Sequence, residues 1–159
     1  MNSAHRSFAT KLASAPALAL VLLGAPAGPA LSQGIEFRSA GAATVVRDAP
    51  SPQGRALFML RPGTPVEVVI AQDGWLRVRE SGGTLSWVER SALGTRRTVM
   101  ITVERATIRR APREDAPPSF EAVRNVVLEL LEPPALGWAR VRHTDGLEGF
   151  VRAAEVWGL

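Results

Sequence analysis

The chain has 159 residues, 46% of them hydrophobic, with 19 Lys+Arg against 15 Asp+Glu, two His, no Cys and no Tyr. That is enough for one ordinary domain or two very small ones, and it excludes a disordered or collagen-like polymer. Without Cys there are no disulfides, thiolate metal sites or cysteine nucleophiles, and His5 and His143 leave a zinc enzyme or a Ser-His-Asp hydrolase little to work with.

Residues 1–32 carry Arg6 and Lys11 first, then an apolar run from Ala15 to about Ala27 that is densest at Leu18 to Leu23. Small residues follow at the spacing a signal peptidase reads, with cleavage expected after Ser32 or, alternatively, at Ala25-Pro26-Ala27. The run is shorter than the roughly 20 residues that span a bilayer, and Pro16 and Pro26 bracket it. The expectation is a signal peptide, a periplasmic or secreted product and no stable membrane span after cleavage; the competing reading is an uncleaved anchor or a buried helix.

The sequence pI of about 11.1 suggests nucleic acid only at first sight. Lys11 is the only Lys and Tyr is absent, so almost nothing titrates between about pH 8 and 12 and a small excess of Arg sets the pI. Without Arg6 and Lys11, 17 basic side chains of the original 19 face 15 acidic ones. That net charge of +2 is too little for a phosphate-tracking surface, and no nucleic-acid partner is expected.

Residues 33–41 read as a linker, and beyond them the sequence repeats. Thr44-Val45-Val46-Arg47-Asp48-Ala49-Pro50 matches Thr107-Ile108-Arg109-Arg110-Ala111-Pro112, with Pro50 and Pro112 62 apart. Val66-Glu67-Val68-Val69 matches Leu128-Glu129-Leu130-Leu131, also 62 apart. Gly74-Trp75-Leu76-Arg77-Val78-Arg79 matches Gly137-Trp138-Ala139-Arg140-Val141-Arg142, and Trp87-Val88 matches Phe150-Val151, at a spacing of 63. One extra residue before the second Gly-Trp explains the change. A self-match in register over four anchors defines two units, 42–94 and 105–159, joined by a connecting segment 95–104.

Neither unit has a helical period. In the first, strands are expected near Ala43 to Arg47, Thr64 to Ala71, Gly74 to Glu80 and Thr84 to Val88. A Pro- and Gly-rich loop (Asp48 to Arg55) and turns at Gln72-Asp73-Gly74 and Ser81-Gly82-Gly83 separate them, and one helical turn at Ser91-Ala92-Leu93 closes the unit. The apolar, β-branched stretch Arg96 to Thr102 is either a connecting strand or the second unit's first. The second unit repeats the scheme with a Thr144-Asp145-Gly146 hairpin. Short strands at this spacing predict small barrels.

The string from Gly137 to Val156, GWARVRHTDGLEGFVRAAEV, resembles the closing half of a bacterial SH3-like domain. Val46-Arg47-Asp48-Ala49-Pro50 and Ile108-Arg109-Arg110-Ala111-Pro112 resemble that family's opening, and Leu60 to Val68 its middle. The resemblance covers about residues 42–159 and implies an all-β protein of two tandem SH3-like barrels after a signal peptide, similar to exported tandem SH3-like proteins of proteobacteria. Two positions depart from the pattern: Ser86 stands where Gly precedes Trp87, and Arg124-Asn125-Val126 replaces the Gly-Thr-Pro turn.

Strand alternation divides the Gly-Trp strands into two faces. Leu76 and Val78, like Ala139 and Val141, belong to the core; Trp75, Arg77 and Arg79, like Trp138, Arg140 and Arg142, point outward. In SH3 relatives a Trp near this position lines the peptide groove, so these six residues are the candidate ligand-binding set, with guanidinium groups to hold a carboxylate beside an indole. The opposing possibility is that both Trp pack under the loop after the first strand and that the Arg pair with Glu67, Glu80, Glu129 and Glu148 on the surface. Trp87 and Phe150 are expected in the core. The absence of Tyr argues against Pro-rich ligands.

No GxSxG, HExxH, P-loop or Rossmann fingerprint occurs, His143 reads as a hairpin-edge surface residue, and the repeats occupy nearly all of 33–159. No catalytic residue, metal or cofactor is expected. The reading is a non-enzymatic exported binding module for a cell-wall peptide or an extended segment of an envelope protein. The alternative is a structural or regulatory protein partner with no cell-wall ligand, using an exposed edge strand.

Overall fold

The computed structural model describes residues 34–159; the expected signal peptide lies outside the described residues. The first unit comprises β1 (Glu36–Ala40), β2 (Thr44–Arg47), β3 (Ala56–Leu60), β4 (Pro65–Gln72), β5 (Trp75–Arg79), β6 (Leu85–Glu89), a 3₁₀ turn (Arg90–Ala92) and β7 (Leu93–Gly94). The second comprises β8 (Thr98–Ile101), β9 (Arg105–Arg109), β10 (Pro118–Val123), β11 (Val127–Leu130), β12 (Trp138–Arg142), β13 (Glu148–Arg152), a 3₁₀ turn (Ala153–Glu155) and β14 (Val156–Trp157). The antiparallel sheets have the same order, β3-β2-β6-β5-β4-β1-β7 and β10-β9-β13-β12-β11-β8-β14.

Each sheet coils on itself around one core without pairing its two outermost strands. The coiling follows from the cores: Ala40, Val46, Leu60, Val66, Leu76, Val78, Val88 and Leu93 form one cluster although they come from all seven strands of the first unit. The second core joins Val99, Ile101, Ala106, Ile108, Ala122, Leu128, Ala139, Val141 and Val151 in the same way. One face of a sheet meets itself only if the sheet bends through bulges, here at Val46/Arg47, Val68/Ile70 and Pro118/Phe120.

Four strands were misassigned, left open or missed in the sequence. The segment 33–41, read as a linker, contains β1, which pairs with β4 and β7. Of the two readings of Arg96 to Thr102, the second holds, because β8 pairs with β11 and β14 and is therefore the second unit's counterpart of β1. β3 and its counterpart β10 went unread: Ala56-Leu57-Phe58-Met59-Leu60 has no polar alternation, and Pro118 disguises the start of β10.

Both departures from the repeat have a local cause. Asn125 takes the left-handed backbone (φ 68°) that Gly63 takes in the first unit (φ 78°), and Asn tolerates that region better than most residues. Gly149 has no room for a side chain, since a Cβ there would lie 2.5 Å from Ile108 Cγ2 and 2.6 Å from the Arg109 carbonyl oxygen. The first unit carries the smaller Val46 in place of Ile108, and a buried Ser86 in place of Gly149.

The two units pack as one compact body over Gln33–Leu159. Phe37 meets Trp157 edge-on with centroids 5.2 Å apart. Buried Thr98 shares a 2.6 Å hydrogen bond with Ser39 and donates to the Gly63 carbonyl. A Cβ on Gly158 would approach Pro65 Cβ to 3.0 Å and the Thr98 carbonyl oxygen to 2.6 Å, so close packing at this junction requires a glycine.

Candidate functional site

The six candidate residues sit on β5 and β12 with the expected alternation. Leu76, Val78, Ala139 and Val141 are in the cores, and Arg77, Arg79, Arg140 and Arg142 face outward, half-buried or exposed. Trp87 and Phe150 correct the expectation that placed them in the core. Both belong to the outward face, half-buried, opposite Arg77 and Arg140 respectively, because Ser86 and Val88, or Gly149 and Val151, take the inward positions.

The two tryptophans that the repeat equates differ in exposure. Trp75 is 8% exposed, whereas Trp138 is half-buried and lines a pocket of about 130 Å³ with Phe150, Pro112, Pro133, Ala135, Leu136, Glu132 and Arg140. Prolines explain the difference. In the first unit β4 runs for eight residues, and its last ones pair with Leu76 and Trp75. In the second unit β11 stops at Leu130. Pro133 and Pro134 follow, cannot donate to the ladder, and carry the chain away from the sheet beside Trp138. Only a bridge between Ala135 and Trp138 restores the hairpin.

The tip of that hairpin is costly. Its two turn residues have positive φ, at Asp73 (43°) and Gly74 (84°) in the first unit and Leu136 (51°) and Gly137 (81°) in the second. Asp-Gly suits such a turn. A Leu there clashes with its own backbone, at about 1–2 kcal/mol, and Leu136 is also 100% exposed. The second unit thus holds an apolar side chain in a strained conformation at the rim of an aromatic pocket, a combination that points to function.

Three of the four candidate guanidinium groups, those of Arg79, Arg140 and Arg142, are already paired with carboxylates. Arg79 grips buried Glu67 through two hydrogen bonds of 2.8 and 2.6 Å. Arg142 holds Glu148 at 2.7 Å, and Arg140 divides itself between Glu132 and Glu148. Hydrogen bonds from Arg142, aided by Arg140, keep the Glu148 carboxyl below its ordinary range. Arg96 does the same to Glu129. The surface-pairing possibility is therefore the one the structure shows for Glu67, Glu129 and Glu148. Beside the pocket Arg152 lies over Trp138, 5.4 Å from the ring centroid, and pairs with Glu114.

His143 follows β12 at the start of the hairpin turn, half-buried and 2.9 Å from Asp145. Among the described residues no cluster of His, Asp and Glu could hold a metal ion. A larger cleft, about 450 Å³, opens between the units, lined in part by Gly41, Gly63, Thr98, Arg96, Arg142 and Glu129. Both of its arginines are turned onto carboxylates.

A family model described as bacterial SH3 domain matches the chain twice, over residues 40–94 and 102–158. Among solved structures, NlpC2 from Trichomonas vaginalis is 17% identical with a TM-score of 0.36, the match covering 80% of this chain and 49% of that one. NlpC1 from the same organism is also 17% identical with a TM-score of 0.36, covering 80% and 47%. An NlpC/P60 family protein from Bacillus cereus ATCC 10987 is 16% identical with a TM-score of 0.37, covering 77% and 56%. The chain spans about half the length of these structures. No curated protein matches.

Proposed function

Since the chain belongs to the bacterial SH3 domain family through both of its repeats, we propose that it is a non-enzymatic binding module, exported to the periplasm or beyond the cell, whose second domain receives a cell-wall peptide. The observation that carries this reading is the strained, fully exposed Leu136 beside the Trp138–Phe150 pocket, at a turn where the first domain uses Asp73-Gly74.

An extended peptide would lie against the Trp138 indole and the Phe150 ring, with Leu136 folding over one of its apolar groups. Stem peptides of the cell wall carry free carboxylates. Arg140 can receive one by exchanging its exposed partner Glu132, and exposed pairs of this kind stabilise so little that the exchange costs little. Glu148 stays in place to orient the guanidinium from the other side. The first domain, with Trp75 buried and its turn unstrained, is assigned a supporting role, so the candidate contacts contract from six residues to Trp138 and Arg140, joined by Leu136 and Phe150.

Co-sedimentation of the full chain with purified peptidoglycan tests the proposal. Trp138→Ala is expected to release the protein into the supernatant, while Arg77→Ala leaves it bound. Equal retention of the wild type and Trp138→Ala would remove the site.

A further inference from the structure

The repeat provides an internal control for a second surface. Among the described residues β3 and β10 are equivalent edge strands, each paired only with its hairpin partner, β2 or β9. Their registers correspond residue for residue: Val45 opposite Met59 in the first domain, Thr107 opposite Glu121 in the second. The outward positions nevertheless differ in character. The first domain places Val45, Leu57 and Met59 there, 37%, 38% and 60% exposed. The second places Thr107, Ser119 and Glu121.

The second domain guards its edge by the means soluble sheets use. Pro118 opens β10 without an N–H, Glu121 pairs with Arg105, and the Ser119 hydroxyl donates to the Glu148 carbonyl. The first domain has none of these devices. Ala56 stands at the position of Pro118, and the outward residues are apolar. One fold and one register with opposite edge chemistry means that the bare edge is not a requirement of the fold.

The charges at its ends indicate what covers it. β3 is bracketed by Arg55 and Arg61, both exposed; Arg55 rests 3.3 Å from Asp48, an exposed pair of the kind that stabilises little and yields readily to another carboxylate. In an antiparallel pairing of two copies through β3, each Arg55 would stand opposite the partner copy's Arg61, and like charges directly opposite are destabilising. A strand with acidic ends reverses that term. We propose that β3 is a docking edge for an extended segment of another protein, apolar at alternate positions and carrying carboxylates at both ends, which adds antiparallel to the first domain's sheet. The surface is independent of the Trp138 groove and lies on the other domain.

Two seven-residue capped peptides test this, Glu-Val-Thr-Val-Thr-Val-Glu and the same sequence with Lys at both ends, titrated into the full chain and followed by hydrogen exchange and fluorescence polarisation. The acidic peptide is expected to slow exchange of the β3 amides and to bind at least about tenfold more tightly than the basic one. Met59→Glu with Leu57→Ser, which copies the second domain, should abolish binding with an unchanged melting temperature, because the fold carries those residues in its other half. Arg55→Glu with Arg61→Glu should invert the preference. Equal binding of the two peptides, or undiminished binding by the Met59→Glu, Leu57→Ser variant, would overturn the proposal. So would β3 amides already protected without peptide, meaning that the chain's own residues cover the edge, or self-association abolished by that variant, which would give the edge to a second copy.

Discussion

Leu136 separates stability from function at a single position. It occupies a left-handed turn position that Asp73 fills in the first domain, and it buries nothing in return for the strain. Leu136→Asp restores the favoured Asp-Gly turn and should stabilise the protein by about 1 kcal/mol, read as a higher melting temperature, while weakening retention on peptidoglycan. A residue that served only the fold would move both quantities in the same direction. Nothing in the sequence marked Leu136, because a leucine between Pro-Pro-Ala and Gly-Trp reads as loop filler until its backbone angle is known. Trp138 and Arg140, by contrast, were legible from strand alternation, and Trp87 and Phe150 were misread because large aromatics favour the core in the absence of register.

Prolines and charged ladders distinguish the strands of one domain from those of the other. β4 and β11 begin alike, but Pro133 and Pro134 end the second early and open the pocket. On the outward face of β12 and β13, Arg140 and Arg142 converge on Glu148, and Arg96 and Arg142 on Glu129. Hydrogen bonds from these arginines lower both carboxyl pKa values. A group whose folded-state pKa lies below its unfolded value contributes stability above the unfolded value and loses it as pH falls through the folded one. The melting temperature should therefore hold near neutrality and drop as pH falls below the ordinary Glu value of about 4.3, and a Glu129→Gln, Glu148→Gln variant should show a shallower drop. Parallel pH profiles for the two proteins would contradict the assignment. The repeat and its turns were readable because Gly-Trp, Asp-Gly and Val-Arg steps recur in register. β3 and β1 were not, since an outward face that is apolar or buried by a neighbour breaks the polar alternation by which a strand is recognised.

At the scale of the molecule, the two domains share a junction built from Phe37, Ser39, Gly63 and Pro65 on one side and Thr98, Trp157 and Gly158 on the other. Thr98 is its polar centre, buried and hydrogen-bonded to both Ser39 and Gly63. Thr98→Val keeps the shape and leaves the Gly63 carbonyl and Ser39 hydroxyl without that partner, at a cost of about 1–3 kcal/mol. Calorimetry should show one unfolding transition for the wild type and two for the variant; a single unshifted transition in both would mean that the junction does not couple the domains. The tandem architecture was visible in the sequence, whereas the junction arises where repeat equivalence fails: Trp157 is matched by Gly94 and Thr98 by Phe37.

The central claim is that ligand recognition belongs to the second domain's groove, and the chain's four tryptophans report on it directly. Trp75, Trp87, Trp138 and Trp157 each give one indole N–H resonance, assignable by single Trp→Phe variants. Titration of the full chain with a soluble muropeptide should shift the Trp138 resonance and leave those of Trp75 and Trp157 in place. A shift at Trp75 in the absence of one at Trp138, or no shift at any of the four at saturating peptide, would contradict the account.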